Sequence, residues 1–160
     1  MHPLVVVVPD IRSAYNVGSI FRTADSAGLR HVYLCGFTPT PEHRGVAKTA
    51  LGAQDAVGWS HEGAEVLPLI ERLKGEGYTV AALEITPGAL APDEIAAEHA
   101  PLALVLGNEV HGVPDDVLAA ADLHLALPQY GIKASLNVSV AFGIAAYGLV
   151  GRMRALGLAG

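Results

Sequence analysis

The chain of 160 residues contains a single cysteine, Cys35. One thiol excludes a disulfide within the chain and a metal site built from several cysteines. The histidines show no ligand spacing on one helix face, so no metal site is expected. They occupy positions 2, 31, 43, 61, 99, 111 and 124.

Charged residues are scarce, at 16% of the chain, whereas hydrophobic residues make up 51%. This shortage indicates that part of the surface is buried against another subunit. A compositional bias toward alanine and glycine explains the numbers equally well. Residues 1–50 carry five Lys or Arg against three Asp or Glu, and the remainder carries five against thirteen. The basic first third can therefore form a local anion site on an acidic body.

Long hydrophobic runs are absent as well. The most apolar stretch, Leu136 to Val150, contains Asn137 and Ser139 and falls short of the ~20 apolar residues that a membrane span needs. The N-terminal apolar run is too short for a signal peptide and has no cationic segment before it. We expect one cytoplasmic domain over residues 1–160, with no membrane partner.

Three sequence motifs of familiar enzymes are missing. The chain has no G-x-x-x-x-G-K-[ST], no G-x-G-x-x-G after its first strand, and no G-x-S-x-G. These absences argue against a P-loop enzyme, an ordinary dinucleotide-binding fold and an α/β-hydrolase.

Short apolar runs alternate with helical patterns along the chain. "LVVVV", "HVYLCGF", "YTVAALEI", "LALVLG" and "LHLALP" read as strands, and a brief further strand is expected at Val57 to Trp59. The first helix is expected to begin at Asn16 as N-cap and to stop at Gly28, and the last to run from Leu136 to Leu156. This alternation predicts an α/β fold with a mostly parallel sheet flanked by helices.

Polar residues cluster where predicted strands end. The first cluster, "NVGSIFR", contains Asn16, Gly18 and Arg22, and Arg22 is expected among apolar neighbours, where it needs an anionic or carbonyl partner. A structural pairing with Asp10 or Asp25 is the alternative.

The second cluster, "LGNEVHG", places Asn108 and Glu109 between Gly107 and Gly112, at a strand end where a ligand can approach the backbone. An ordinary turn is the alternative for this stretch. The third, "LPQYGIKASLNVSVAFG", brings Ser135 and Asn137 to the start of the final helix. Such a helix start suits an anion or a polar ligand, although simple N-capping by Ser135 accounts for it too.

Taken in order, these three motifs resemble those of the SpoU (TrmH-type) RNA ribose 2′-O-methyltransferases of the SPOUT superfamily. The resemblance runs from about Pro9 to Leu149, and the stretch "KTALGA" followed by Trp59 also recurs in that family. One departure is Gln129-Tyr130, where many members have methionine or a similar residue.

The resemblance implies a C-terminal trefoil knot, although chains are rarely knotted. Its loops near Leu83–Glu84, Leu106–Gly112 and Leu127–Leu136 would hold S-adenosylmethionine, and the segment Val138 to Val150 would enter the knot and a homodimer interface. The implied cofactor-binding residues are Leu83, Glu84, Leu106, Gly107, Asn108, Glu109, Gly112, Leu127, Gln129, Gly131, Ser135 and Leu136.

The resemblance also implies catalytic roles in methylating a ribose 2′-OH of tRNA or rRNA. Arg22 would act at the hydroxyl, Asn16 would position Arg22, and Glu109, Ser135 and Asn137 would complete the site. Arginine hardly deprotonates, so Arg22 is better suited to stabilise an alkoxide than to act as a base. RNA contacts are expected from Arg12, Arg44, Lys48 and Lys133.

Two other functions fit less well. A non-catalytic RNA-binding or assembly factor with the same fold has no need of Asn16, Arg22, Glu109 and Asn137 together, although the net charge of −6 speaks weakly for it. A generic α/β nucleotide-binding enzyme is disfavoured by the missing phosphate loop.

Overall fold

The structure is a computed structural model that describes residues 1–158. Six strands form one sheet in that part of the chain: β1 (Leu4–Pro9), β2 (His31–Cys35), β3 (Gly58–His61), β4 (Thr79–Leu83), β5 (Leu102–Val105) and β6 (Leu123–Leu125). The helices are α1 (Ala14–Ser26), α2 (Arg44–Ala50), α3 (Ala53–Ala56), α4 (Leu67–Gly75), α5 (Asp115–Ala120) and α6 (Val138–Ala155). Two 3₁₀ turns, Pro92–Glu94 and Ala97–His99, precede β5.

The strand order is β3-β2-β1-β5-β4-β6, and every neighbouring pair is parallel. The predicted α/β fold with a mostly parallel sheet is therefore confirmed. Because the strands are parallel, the loops that follow β1, β4, β5 and β6 gather at one edge of the sheet. The trefoil knot implied by the resemblance stays a prediction.

The central strand β1 is buried on both faces, which explains its continuous run of valine. Leu4, Val6 and Val8 face a core formed with α1, α2 and α6. Val5 and Val7 face a second core formed with α4 and α5. The sheet is thus covered by helices on both sides.

Among residues 1–158, no helix is both long enough and apolar enough to cross a bilayer.

Two predicted helix caps are wrong. Ser13 is the N-cap of α1, and its hydroxyl accepts a hydrogen bond from the Asn16 amide. Asn137, not Ser135, is the N-cap of α6, and its side chain accepts from the Ser139 and Val140 amides. In both places a second polar residue near the helix start competed for the free amides, and spacing alone did not decide between them. The predicted stop at Gly28 is correct, with φ of +70° directly after the last turn.

Candidate active site

A cavity of about 540 Å³ opens at the carboxyl ends of β4, β5 and β6. Three loops form most of its wall, and α1 and α6 close one side. This volume lies within the range of ligand sites for small organic molecules. The lining consists of Asn16, Leu83, Glu84, Ile85, Leu106, Gly107, Asn108, Glu109, Val110, His111, Gly112, Ala126, Leu127, Gln129, Ala134, Ser135, Leu136, Asn137, Val138 and Ala141.

Most residues expected at a cofactor site lie along this cavity. Of the twelve expected residues, only Gly131 lies outside the lining. Gly131 lies in the exposed segment from Tyr130 to Asn137. Asn16, one of the expected catalytic residues, also lines the cavity.

Several lining residues were missed by the sequence reasoning. Ile85, Val110 and His111 adjoin motif residues, and Ala126, Ala134, Val138 and Ala141 lie in or beside the third motif. The signal for each was its position in or beside a motif, and the apolar ones among them carry no pattern of their own at a loop.

The loop from Gly107 to Gly112 is a closed turn built on Asn108. The backbone groups of Asn108 and Gly112 exchange two hydrogen bonds of 3.0 Å. The Asn108 side-chain oxygen accepts from the amides of Val110 at 2.8 Å and His111 at 3.1 Å, while its amide group donates to the Asp10 carbonyl. A Cβ at Gly107 would lie 2.8 Å from the Gly112 carbonyl carbon. The second motif is therefore a rigid turn tied to the end of β1.

Glu84 connects the loop after β4 to the loop after β5. Its carboxylate accepts from the Ile85 amide at 3.0 Å and from the Val113 amide at 3.0 Å. Gly112 has φ of +68°, and a Cβ there would lie 2.3 Å from a Glu84 carboxylate oxygen. Glycine at this position therefore lets the two cavity walls approach each other closely.

Glu109 connects the second motif to the residues before α1. Its two carboxylate oxygens accept from the Arg12 and Ser13 amides, each at 3.1 Å. Glu109 is an exposed residue whose carboxylate is partly desolvated, which raises its pKa, but these backbone hydrogen bonds and the nearby Asn16 side chain outweigh that effect and hold the pKa below its usual value. The carboxylate is therefore ionised at neutral pH and fixes the start of α1.

The third motif meets the first through a pair of asparagines. The Asn137 side-chain amide donates to the Asn16 side-chain oxygen at 3.2 Å. The Ser139 hydroxyl donates to the Asn137 side-chain oxygen at 2.6 Å. Asn16 and Asn137, which belong to motifs far apart in the sequence, thus share one hydrogen-bond network beside the cavity.

Arg22 is not part of this network. It lines a separate open cleft of about 530 Å³, which we name the α1–α2 groove. The residues that line this groove are Ser19, Arg22, Thr23, Ser26, Lys48, Thr49, Leu51 and Tyr147. The expectation that Arg22 lies among apolar neighbours is wrong for the single chain, because the buried face of α1 consists of Val17, Gly18, Ile20, Phe21 and Ala24. Arg22 itself is exposed. Within residues 1–158 it forms no ion pair with Asp10 or Asp25.

The loop from Pro128 to Asn137 is mostly exposed. The Tyr130 and Ile132 side chains are 93% and 103% accessible. The Gln129 side chain turns back to donate to the Leu127 carbonyl at 3.4 Å. The four residues expected to contact RNA, Arg12, Arg44, Lys48 and Lys133, are all exposed.

Cys35 lies apart from the cavity. It is buried at the end of β2, and burial, with smaller contributions from Glu62 and Asp10, raises the pKa of its thiol to about 12. A thiol that stays protonated at neutral pH is a poor nucleophile.

In residues 1–158, no cluster of three or more His, Cys, Asp or Glu side chains has the arrangement of a metal site.

Comparison with known proteins gives three informative similarities. The chain is 30% identical over 152 residues to the tRNA (guanosine(18)-2′-O)-methyltransferase of Borreliella burgdorferi, covering 94% of this chain and 67% of that protein. The AdoMet-bound rRNA methyltransferase from Sinorhizobium meliloti superposes with a TM-score of 0.83 at 27% identity, covering 98% and 59% of the two chains. A structure described for 2′-OH methylation of C/U34 on tRNA has a TM-score of 0.83 at 26% identity, covering 96% and 98%.

The match to a family model covers most of the chain. The chain spans 56–67% of the lengths of the curated relatives with which it aligns. Residues 3–147, which include all three motifs, match the model of the SpoU rRNA Methylase family. The chain therefore belongs to the SpoU rRNA Methylase family.

Proposed function

We propose that this protein is an S-adenosylmethionine-dependent RNA methyltransferase that modifies a ribose 2′-OH in tRNA or rRNA. The observation that carries the proposal is the convergence of the three motifs on one cavity, where Asn16, Glu109 and Asn137 meet. The tRNA and rRNA methyltransferases to which the chain is similar support the same activity.

The cavity suits S-adenosylmethionine in size and chemistry. Leu83, Leu106 and Leu127 provide apolar walls for an adenine ring, and Ser135 and the exposed loop amides provide polar contacts for the ribose and the amino-acid group. Glycines at 107 and 112 let the loop after β5 close on itself and approach Glu84, which holds the cavity walls close together. S-adenosylmethionine, when bound, would supply an electrophilic sulfonium methyl group and would leave as S-adenosylhomocysteine.

The catalytic work of the protein is placement and charge stabilisation. Arginine side chains stay protonated in proteins, so Arg22 stabilises the negative charge that develops on the ribose oxygen. An RNA phosphate is the proposed proton acceptor. Asn137, through its hydrogen bond to Asn16, fixes one side of the site, and Glu109 fixes the start of the helix that bears both Asn16 and Arg22.

A homodimer is the proposed active form. In one chain Arg22 lines the α1–α2 groove rather than the cavity, so a second chain is needed to bring an arginine to the cavity. The α6 side chains Val140, Ile144 and Tyr147 are 50%, 51% and 55% exposed at a spacing that places them on one helix face. An apolar helix face of this kind suits a subunit interface.

We propose tRNA as the first RNA to test. The structure described for 2′-OH methylation of C/U34 on tRNA has a TM-score of 0.83 to this chain, with 98% of its own length covered, which supports tRNA as a substrate. Arg12, Arg44, Lys48 and Lys133 are exposed and available to RNA. The proposed location is the cytoplasm, where tRNA and rRNA are modified.

The test begins with calorimetric titration of the purified chain with S-adenosylmethionine, S-adenosylhomocysteine and NADH. Saturable binding of the first two alone, near one per chain, is expected. Transfer of radiolabelled methyl groups to in vitro-transcribed tRNA and rRNA then tests the reaction. Absence of cofactor binding together with retained RNA binding would support the non-catalytic RNA-binding factor instead.

Arg22→Ala separates cofactor binding from chemistry. Loss of a charge-stabilising donor typically lowers kcat by about 10²–10³-fold, and we expect that loss with unchanged cofactor affinity. Arg30→Ala, which removes an exposed arginine at the start of β2, is the matched control. Full turnover by Arg22→Ala would remove Arg22 from the reaction.

A further inference from the structure

The α1–α2 groove exists because Gly18 allows the two helices to touch. A Cβ at Gly18 would lie 1.9 Å from the Thr49 hydroxyl oxygen and 2.4 Å from the Val46 carbonyl oxygen. Only glycine therefore permits this approach. The close packing places Lys48 and Thr49 of α2 beside Arg22 of α1, along the same groove.

Positive charge in this groove is not balanced by its own lining. Among residues 1–158, Arg22 and Lys48 are the charged residues that line the groove, and no carboxylate lines it. The Lys48 ammonium lies 5.7 Å from the centre of the Tyr15 ring, a cation–π contact that holds the side chain near α1. In a chain with a net charge of −6, a cleft with two cations and no acid is a local site for an anion.

The groove also offers a row of hydroxyl groups. Ser19, Thr23 and Ser26 follow one another at a spacing of four and three residues, so they share one face of α1. Their hydroxyls make no side-chain hydrogen bond within residues 1–158, whereas Thr49 donates to the Tyr15 carbonyl at 2.9 Å. The row extends over about 10 Å of helix, which matches a stretch of polymer backbone better than a single small ion.

We propose that the α1–α2 groove binds the phosphodiester backbone of the substrate RNA beside the nucleotide that is methylated. Lys48 binds a phosphate, and the Ser19 and Thr23 hydroxyls donate to neighbouring backbone oxygens. Hydroxyl and lysine side chains are common partners of nucleic-acid phosphates. This inference rests on the proposed function, because it assumes that Arg22 acts on RNA, and it adds how the RNA next to Arg22 is held.

The experiment measures RNA binding by Lys48→Gln at several salt concentrations. The probes are unmodified tRNA transcripts and a 23S rRNA transcript, used with the unaltered full chain as reference. Removing one phosphate contact is expected to weaken RNA binding roughly tenfold and to reduce the slope of log K against log salt by about one. We expect KM for RNA to rise and kcat to stay unchanged.

Three comparisons make the result specific. Lys48→Arg keeps a cation and is expected to restore most of the affinity, and Thr23→Val tests the hydroxyl row without a change of charge. Arg30→Ala removes an equal charge outside the groove and is expected to leave the salt slope unchanged. Cofactor affinity, measured by calorimetry on each variant, reports whether the cavity is intact.

Two results would overturn the proposal. One is a Lys48→Gln protein with the RNA affinity and salt slope of the unaltered chain. The other is a Lys48→Gln protein that becomes monomeric by mass while its RNA affinity is unchanged, which would show that Lys48 serves the subunit interface and not RNA. An unaltered chain that binds RNA through Lys48 and transfers no methyl group would refute the proposed function alone.

Discussion

The side chains of Asn16 and Asn137 are joined by a hydrogen bond of 3.2 Å, although 121 residues separate them in the chain. Asn16 lies in the first turn of α1, and Asn137 caps α6. Asn137 therefore has two tasks, since its oxygen accepts from the helix amides while its amide group donates to Asn16. The two tasks are separable by substitution.

Asn137→Ala is expected to lose both tasks, and Asn137→Asp only one. Replacing an N-cap asparagine by alanine costs about 1 kcal/mol, whereas aspartate caps equally well. We therefore expect the unfolding free energy of Asn137→Asp to stay near that of the unaltered chain. Both variants lose the donor to Asn16 and should fall roughly fivefold in kcat/KM, the worth of one neutral hydrogen bond.

Urea unfolding and methyl-transfer kinetics on the same preparations test this separation. An Asn137→Asp protein with full activity would show that the contact with Asn16 is dispensable. Equal stability of Asn137→Ala and the unaltered chain would show that Ser135 or another residue takes over the cap.

Gly18→Ala is expected to destabilise the fold and to displace α2. The added methyl group would meet the Thr49 hydroxyl, the Val46 carbonyl and the Ala50 amide at 1.9, 2.4 and 2.9 Å. Overpacking of this kind costs about 1–3 kcal/mol. A second substitution that removes the Thr49 hydroxyl should recover only part of the lost stability, because the contacts with the Val46 and Ala50 backbone remain.

The matched control is Gly75→Ala at the end of α4, where a Cβ would meet nothing within 4 Å. That change should be neutral or slightly stabilising in urea unfolding, since alanine suits a helix better than glycine. If Gly18→Ala were as stable as Gly75→Ala, the close approach of α1 and α2 would not require glycine.

Glu109→Gln is expected to destabilise the protein in a way that depends on pH. The hydrogen bonds from the Arg12 and Ser13 amides hold the pKa of Glu109 below its usual value despite partial desolvation. A carboxylate with a lowered pKa contributes its stability above the pKa of the unfolded chain, about 4.3, and loses it as the pH falls through the folded value. The glutamine variant has one acceptor oxygen in place of two.

The stability difference between the unaltered chain and Glu109→Gln should therefore be full at neutral pH and shrink in the acid range. Urea midpoints measured at a series of pH values give this difference directly. Glu71→Gln, at an exposed position of α4, is the matched control for the loss of one carboxylate. A stability difference that is constant with pH would show that the Glu109 charge does not hold the loop.

Much of the fold could be predicted from the sequence, because its signals are local. The valine run of β1 and the apolar runs of β4 and β5 predict buried parallel strands, and Gly28 predicts the end of α1. Helix starts were less predictable. Ser13 and Asn16 are both good caps three residues apart, and the choice depends on Glu109, which holds the Ser13 backbone from 96 residues away.

The surroundings of Arg22 were unpredictable for a similar reason. On a helical wheel, at ~100° per residue, the buried α1 residue closest in angle to Arg22 is Gly18, but the wheel does not show where the neighbouring helix ends. The packing of α2 at Gly18 leaves Arg22 and Lys48 in an open groove. Contacts between helices, not the pattern within one helix, decided its exposure.

The contacts that build the cavity also bear on how the chain folds. Glu109 reaches back to Arg12 over 97 residues, and Asn108 reaches Asp10 over 98 residues. Closing loops of this length costs chain entropy before any contact compensates, so such contacts form late and slowly. The pairing of β1 with β5 at the centre of the sheet spans the same sequence distance, so the cavity is completed together with the sheet and not before it. Cofactor binding during refolding would therefore follow the last step of folding, and its appearance would time the completion of the whole domain.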